Sequence, residues 1–143
     1  MEQVKVIYWT QTGNTEMMAG AIAEGIKQAG KEAVLLEVGN CSVADLEQDS
    51  IFVLGCPAMG AEELEETEME PFMAELESHL TGKKVALFGS YGWGDGQWMR
   101  DWAERIENAG ASVIGGEGLI VNETPEDDGL TSCRNFGEKI ASN

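Results

Sequence analysis

Short apolar runs alternate with longer segments of helical periodicity along most of this chain. The runs lie at residues 4–9, 33–38, 51–56, 85–89 and 112–121. Their few polar interruptions are typical of strands covered on both faces of a parallel sheet. The last run is interrupted by Gly115, Gly116 and Gly118. The runs predict five strands.

Between the runs, apolar residues recur every three or four positions, which predicts helices. The predicted helices cover residues 14–29, 69–80, 97–109 and 126–141. Gly30, Gly82 and Gly110 follow the first three as helix stops. Residues 39–49 favour turns, and we expect a loop there with one helical turn at 43–46. Strands alternating with helices predict an α/β fold with a parallel sheet and right-handed crossovers.

The length of 143 residues and the apolar content of 43% fit one domain with a substantial core, covering residues 1–143. No segment approaches the ~20 consecutive apolar residues that a membrane helix needs. Met1 is followed by the polar Glu2 and Gln3, which leaves no room for an apolar signal segment. We therefore expect a soluble, cytoplasmic protein.

The formal net charge of −17 narrows the possible partners. Such a chain repels nucleic acid and anionic lipid, so its natural partner surface is basic. The acidic residues crowd one segment in particular, at Glu62, Glu63, Glu65, Glu66, Glu68 and Glu70. A solvated, solubilising face is the alternative interpretation of this cluster.

The chain has three cysteines, Cys41, Cys56 and Cys133, and a single histidine, His79. The cysteines show no C-x-x-C spacing, which argues against a zinc site and against a disulfide framework. Cys56 ends a predicted buried strand, where a small apolar role is the expected one. We assign the cysteines no chemistry and expect no metal.

A hydroxyl-rich turn connects the first predicted strand to the first predicted helix. It reads Trp9-Thr10-Gln11-Thr12-Gly13-Asn14-Thr15. A helix N-terminus leaves backbone N–H groups unpaired, and the threonines and Asn14 add neutral donors. The turn has no Lys or Arg, which phosphate-transferring sites usually bring to the reacting group. We expect it to hold a phosphate without reacting with it.

Two further loops, at 55–62 and 89–96, follow the third and fourth predicted strands. Ligands of open α/β sheets lie beyond the carboxyl ends of the strands, so the three loops should converge. Met59 and the loop residue Trp93 are suited to covering a flat ring, and Glu62 to accepting from a ring N–H. Since no G-x-G-x-x-G follows the first strand, FMN fits these loops better than a dinucleotide does.

These loops resemble those of the flavodoxin family, specifically the short-chain flavodoxins of anaerobic bacteria. The matching stretches are T-x-T-G-N-T at 10–15, Pro57-Ala58-Met59-Gly60 followed by Glu62, and Gly89-Ser90-Tyr91-Gly92-Trp93-Gly94. The resemblance implies a flavodoxin-like, doubly wound five-stranded sheet of order 2-1-3-4-5 with helices on both faces. It also implies non-covalently bound FMN and single-electron transfer at low potential, between semiquinone and hydroquinone, with no enzymatic reaction.

The resemblance also implies a role for each matching residue. Residues 10–15 would hold the phosphate, and Met59 and Trp93 would flank the isoalloxazine. Gly60 would turn its carbonyl towards flavin N5 on reduction, which favours the neutral semiquinone, and Glu62 would bond the ring N3–H. The expected cofactor-binding residues are Trp9, Thr10, Gln11, Thr12, Gly13, Asn14, Thr15, Pro57, Ala58, Met59, Gly60, Glu62, Ser90, Tyr91, Gly92, Trp93 and Gly94.

The acidic cluster at 62–70 follows the loop expected to touch the ring. A unit charge ~10 Å away at an effective dielectric of ~20 disfavours an anionic flavin by about 1.7 kcal/mol, or roughly 70 mV. We hypothesise that these acids lower the potential and steer basic redox proteins to the flavin. The expected partners are ferredoxin-type reductases and acceptors, and the expected state is a monomer.

Other proteins with related folds fit this sequence less well. A receiver domain needs an aspartate where Cys56 ends the third strand, and a small tyrosine phosphatase needs a cysteine and an arginine bracketing the first loop. A flavodoxin-like enzyme domain, either a reductase activator or a quinone reductase, stays open as an alternative. A non-redox binding module is less favoured.

Overall fold

The computed structural model describes residues 3–143; Met1 and Glu2, on which the expectation about a signal segment depends, lie outside them. The strands are β1 (Gln3–Tyr8), β2 (Glu32–Glu37), β3 (Ile51–Gly55), β4 (Lys84–Tyr91), β5 (Ser112–Val113) and β6 (Leu119–Asn122). The helices are α1 (Asn14–Gln28), α2 (Met69–Leu76), α3 (Gln97–Asn108) and α4 (Asp127–Ala141).

All the strands join one parallel sheet with the order β2-β1-β3-β4-β5, which confirms the predicted order. The prediction of a single fifth strand at 112–121 is wrong in one respect, because two short strands, β5 and β6, occupy that stretch. β5 pairs with Lys84 and Val85, and β6 pairs further along β4 from Phe88 to Tyr91. Gly115 and Gly116 both have φ of +82°, so the chain leaves the sheet there before rejoining the same edge.

Two hydrophobic layers cover the two faces of the sheet. Because neighbouring strand residues point to opposite faces, Val53 contributes to one layer and Leu54 to the other. Helices α1 and α4 cover the Val53 face, and α2 and α3 cover the Leu54 face. The sheet is therefore doubly wound, as predicted.

Helices α1 and α4 cross at very close range. A Cβ atom on Gly25 of α1 would lie 1.9 Å from the backbone oxygen of Arg134 in α4. A Cβ on Gly137 of α4 would lie 2.1 Å from the backbone oxygen of Ile22 in α1. The two glycines let the backbones of α1 and α4 come into contact. This contact holds α1 in place next to the β1–α1 loop.

The segment after β2 contains two short 3-10 helices, Val38–Asn40 and Val43–Leu46. The turn predicted at 43–46 is confirmed, and a reciprocal cap explains its start. Ser42 Oγ accepts from the Asp45 amide at 3.3 Å, and an Asp45 carboxylate oxygen accepts from the Ser42 amide at 3.0 Å. The second predicted helix ends early, since α2 stops at Leu76 and a 3-10 turn, Glu77–His79, follows.

Cys41, Cys56 and Cys133 are free and buried. Burial raises the pKa of the Cys56 thiol and of the Cys133 thiol to about 12, so both are protonated at neutral pH. Within residues 3–143, no helix is long and apolar enough to cross a membrane. The same residues form no cluster of three or more His, Cys, Asp or Glu suited to a metal ion.

Candidate functional site

The loops after β1, β3 and β4 meet at the carboxyl edge of the sheet, as expected. The Ala58 amide donates to the Ser90 backbone oxygen at 3.0 Å, which ties the second loop to the end of β4. The buried hydroxyls of Thr15 and Ser90 lie 3.0 Å apart and join the start of α1 to the same strand. These contacts fix the loops around one cleft.

The cleft has a volume of about 240 Å³. Its lining consists of Thr10, Gln11, Thr12, Asn14, Thr15, Pro57, Ala58, Met59, Ser90, Tyr91, Gly92 and Glu123. Two larger grooves, of about 670 and 470 Å³, border α3 and carry mainly carboxylates among their charged groups. The cleft is the better candidate despite its smaller size, because it combines hydroxyls, a helix N-terminus and large nonionic side chains.

One end of the cleft is suited to an anion. Gly13, with φ of +97°, caps α1, and no side chain among the described residues caps the helix N-terminus. Its first-turn amides are therefore available to a ligand, next to the hydroxyls of Thr10 and Thr12. The Gly13 amide itself donates to Thr10 Oγ1 at 3.1 Å, which shapes the loop. None of the described lining residues is Lys or Arg, and the donor set fits a phosphate monoester.

The rest of the cleft is suited to a flat, largely apolar group. Pro57, Ala58 and Met59 line it from the second loop, and Tyr91 lines it from the end of β4. The Tyr91 ring packs against the buried ring of Trp98, with centroids 5.7 Å apart, so Tyr91 is supported from behind. A thioether and a supported aromatic ring in one cleft match what a planar aromatic ligand requires.

Several expected residues stand beside the cleft instead of lining it. Gly13 forms the helix cap, and Gly60 and Glu62 belong to the turn beyond Met59. Trp93 and Gly94 belong to the loop after β4, where the Trp93 side chain is 66% exposed. Flanking of a bound ring by Trp93 stays a prediction.

The structure does not bring Trp9 into the cleft. Trp9 lines a separate cavity of about 280 Å³ with Glu37, Asn40 and Glu68. Its neighbour Tyr8 packs into the α1 and α4 layer, whereas Trp9 packs against the α2 and α3 layer. Strand alternation thus turns the Trp9 indole away from the face that α1 covers.

The carboxylate of Glu62 bonds the loop after β4. Its Oε1 atom accepts from the Gly96 amide at 3.2 Å and from the Gln97 amide at 2.9 Å. These amides begin α3, so Glu62 occupies the position of a helix cap. Bonding to a ring N3–H stays a prediction for this residue.

Glu123 lines the cleft and was missing from the expected set. It follows β6 with φ of +58°, and its amide donates to the Tyr91 backbone oxygen at 2.7 Å. The sequence contains a signal for Glu123, because ligands lie beyond the carboxyl ends of the strands and Glu123 closely follows the last apolar run.

The acidic cluster at 62–70 is not one uniform solvated face. Glu65 is buried and accepts from the Glu68 and Met69 amides at 2.8 and 3.0 Å, at the start of α2. Glu70 forms an ion pair with Arg105 at 2.6 Å. Glu65 thus stabilises the start of α2, and Glu70 joins α2 to α3. The exposed Glu63, Glu66 and Glu68 are the members of the cluster that fit a solvated face.

Burial by itself would raise the pKa of the Glu65 carboxyl. Hydrogen bonds from the Thr67 side chain and from the Met69, Thr67 and Glu68 amides outweigh burial and lower it. Glu65 is therefore a buried carboxylate at neutral pH, held by donors and not by a cation.

A protein-family model described as flavodoxin matches residues 6–137. The chain belongs to the flavodoxin family. It is 48% identical to a flavodoxin of Clostridium beijerinckii over 139 residues, which cover 97% of this chain and 99% of that one. It is 47% identical to a flavodoxin of Megasphaera elsdenii over 138 residues, covering 96% and 98% of the two chains. Flavodoxins are thus full-length relatives.

Solved flavodoxin structures agree with the fold described above. Two-electron reduced Megasphaera elsdenii flavodoxin superimposes with a TM-score of 0.89 at 46% identity, covering 98% of this chain and 99% of that one. A flavodoxin from the domain Archaea gives 0.87 at 28% identity, with coverages of 98% and 96%. The protein is accordingly an FMN-binding electron carrier of the flavodoxin family, and the alternative of an enzyme domain is not favoured.

Proposed function

We propose that FMN binds in the cleft between the three loops and that the protein carries single electrons on it at low potential. The observation that carries this proposal is the cleft itself, which joins the N-terminus of α1, where no described side chain bonds the first-turn amides, to threonine hydroxyls without any lining cation. When bound, FMN supplies a ring that takes up and releases electrons one at a time.

The phosphate of FMN belongs at the β1–α1 loop in this proposal. Amides of the first turn of α1 and the hydroxyls of Thr10 and Thr12 would donate to it. The Thr15 hydroxyl already pairs with Ser90, so Thr15 would contribute to phosphate binding partly by supporting the loop from its buried side. Neutral donors hold the phosphate without adding positive charge to the site, which leaves the potential low.

The isoalloxazine ring belongs between the second and third loops. Met59 and Tyr91 line that part of the cleft, and the exposed Trp93 lies on the following loop, where it is free to cover the outer face. Gly60, Glu62 and the backbone of Ser90, Tyr91 and Gly92 would contact the ring as the family resemblance implies. Glu123 joins this set from the end of β6.

Partners of this carrier would present basic docking surfaces. The net charge of −17 and the exposed acids Glu63, Glu66 and Glu68 support attraction to basic reductases and acceptors of the ferredoxin type. The protein would act as a monomeric single domain in the cytoplasm. Three free, buried cysteines suit such a reducing compartment.

Stepwise reductive titration of the purified protein tests the proposal. A carrier should purify yellow, pass through a distinct one-electron-reduced form, and consume no quinone without an added reductase. Direct transfer of two electrons with quinone turnover would support the enzyme alternative instead. A colourless protein that gains no spectrum with added FMN would contradict the proposal outright.

A further inference from the structure

We infer that Glu62 is a positioning residue that holds the Trp93 loop against the Met59 turn by capping helix α3. Here the Met59 turn means residues 59–63 and the Trp93 loop means residues 92–96. The inference depends on the proposed function only where it gives these two segments a role at the flavin. The hydrogen bonds from which this role is inferred join Glu62 to two amides of the same chain and do not involve FMN.

The Met59 turn is closed and strained. The Met59 amide donates to the Glu63 backbone oxygen at 2.9 Å, and the Glu63 amide donates to the Met59 oxygen at 2.9 Å. Gly60 has φ of +49°, and Glu62 has φ of +58° without being glycine. A residue with a side chain persists in this region only when its surroundings over-determine it. The contacts of the Glu62 carboxylate supply that restraint.

Those contacts satisfy the beginning of α3. The helix is capped by Gly96, which has no side chain to offer, and the first-turn amides need acceptors. Glu62 Oε1 accepts from the Gly96 amide at 3.2 Å and from the Gln97 amide at 2.9 Å. A carboxylate is also the charge that a helix N-terminus favours. Glu62 thus caps α3 from a separate loop.

The approach of the two segments is close enough to require a glycine. A Cβ atom on Gly94 would lie 2.6 Å from Glu62 Cδ, and Gly94 has φ of +85°. On the other side of the Trp93 loop, Asp95 pairs with Arg100 at 2.9 Å, but both side chains are exposed and the pair is weak. Arg100 also donates to the Asp95 backbone oxygen at 3.0 Å, from within α3 itself. Glu62 ties the loop that carries Trp93 to the separate Met59 turn.

The consequence is a mechanical link between the ring-contacting turn and the exposed Trp93. With Oε1 engaged by two amides, any bond to a ring N–H falls to the second carboxylate oxygen of Glu62. A displacement of the Met59 turn must then move the Trp93 loop or break the cap. The Met59 turn and the Trp93 loop are thus coupled through the Glu62 side chain.

Hydrogen exchange in the FMN-free protein tests this role by NMR. Glu62→Ala should speed exchange of the Gly96 and Gln97 amides by about tenfold, since both lose a bond to a charged group. The variant should also increase fast motion of the Trp93 indole N–H in ¹⁵N relaxation. Glu62→Gln keeps an acceptor oxygen and should restore most of both properties. Glu63→Ala, which keeps the backbone pair with Met59, is the matched control and should change neither.

The Ala103 amide in α3 serves as a folding reference, because loss of its protection would report unfolding of the helix. Should Glu62→Ala fail this check, Gly94→Ala provides a second variant, since its methyl group displaces the carboxylate and should give the same local change. Unchanged exchange at Gly96 and Gln97 in a folded variant, or no rescue by Glu62→Gln, would overturn the inference. These measurements need no FMN, so their failure is distinct from failure of the reductive titration.

Discussion

Thr15 at the start of α1 and Ser90 near the end of β4 form a buried pair, with their hydroxyl oxygens 3.0 Å apart. This pair joins the loop proposed to hold the phosphate to the strand that leads to the ring site. The shape of the cleft therefore depends on two hydroxyls that point away from solvent.

Removing one hydroxyl should harm both stability and FMN affinity. Thr15→Val keeps the shape of the side chain but leaves the buried Ser90 hydroxyl without its partner, at a cost of about 1–3 kcal/mol. The double variant Thr15→Val/Ser90→Ala should cost less than the sum of the single variants, because the two residues act as one contact. Urea unfolding of the FMN-free protein measures stability, and fluorescence titration measures FMN affinity. Thr131→Val, at an exposed position of α4, is the control, and strict additivity would refute the pairing.

The three exposed acids of the cluster should lower the flavin potential, whereas distant acids should not. Replacing Glu63, Glu66 and Glu68 with Gln should raise the midpoint potential of the second one-electron step by on the order of 10–50 mV after screening. It should also flatten the salt dependence of electron transfer to a basic partner.

The matched control for this change is the triple variant of Glu32, Glu47 and Glu138, which removes the same charge from exposed sites in other parts of the chain. Spectroelectrochemical titration of both proteins separates local from general charge effects. Equal shifts in the two proteins would leave the exposed acids as a solvated face only.

Glu65 should make stability depend on pH. Its pKa is lowered in the folded protein below the ordinary value of 4.5, so its contribution is fully present above that value. The contribution is lost as the pH falls through the lowered folded pKa. Glu65→Gln should therefore cost about 1–3 kcal/mol near neutral pH, and the difference from the wild type should shrink in acid. Urea unfolding as a function of pH checks this, with the exposed Glu66→Gln as control. A difference independent of pH would contradict the assignment.

Two glycines of α1 should respond to alanine with opposite signs. Gly25→Ala places a methyl group 1.9 Å from the Arg134 backbone oxygen and should destabilise the protein by several kcal/mol, on the order of 3. Gly20 faces open space, and Gly20→Ala should stabilise the helix by roughly 0.5–1 kcal/mol. Chemical unfolding of both variants provides the comparison. Similar effects at the two sites would mean that α1 and α4 do not cross as described.

Local signals account for what the sequence predicted correctly. Continuous apolar runs and three-to-four periodicity located most strands and helices, because burial dictates both patterns. The hydroxyl-rich turn and the loops after β3 and β4 converged because parallel strands end at one edge. The sequence also contains the signal that separates Trp9 from Tyr8, because neighbouring residues along a strand point to opposite faces of the sheet.

Other features depend on contacts distant in sequence. Glycines at 115 and 116 signal an interruption, but only the pairing of β6 with β4 shows that the chain rejoins the same edge. Arg105 pairs with Glu70 and Glu77, residues 35 and 28 positions away, and no local pattern predicts that choice. The cap that Glu62 gives to α3 likewise spans two loops.

The assignment of the cleft as the FMN site is tested most directly by mapping which backbone amides respond to FMN. Amide chemical-shift changes on adding FMN to the ¹⁵N-labelled, FMN-free protein should be largest at residues 10–15, 58–62, 90–94 and Glu123. The larger groove lined by Glu77, Asp101 and Glu104 should change little. Shift changes concentrated in that groove, with the β1–α1 loop unaffected, would contradict the assignment of the cleft as the FMN site.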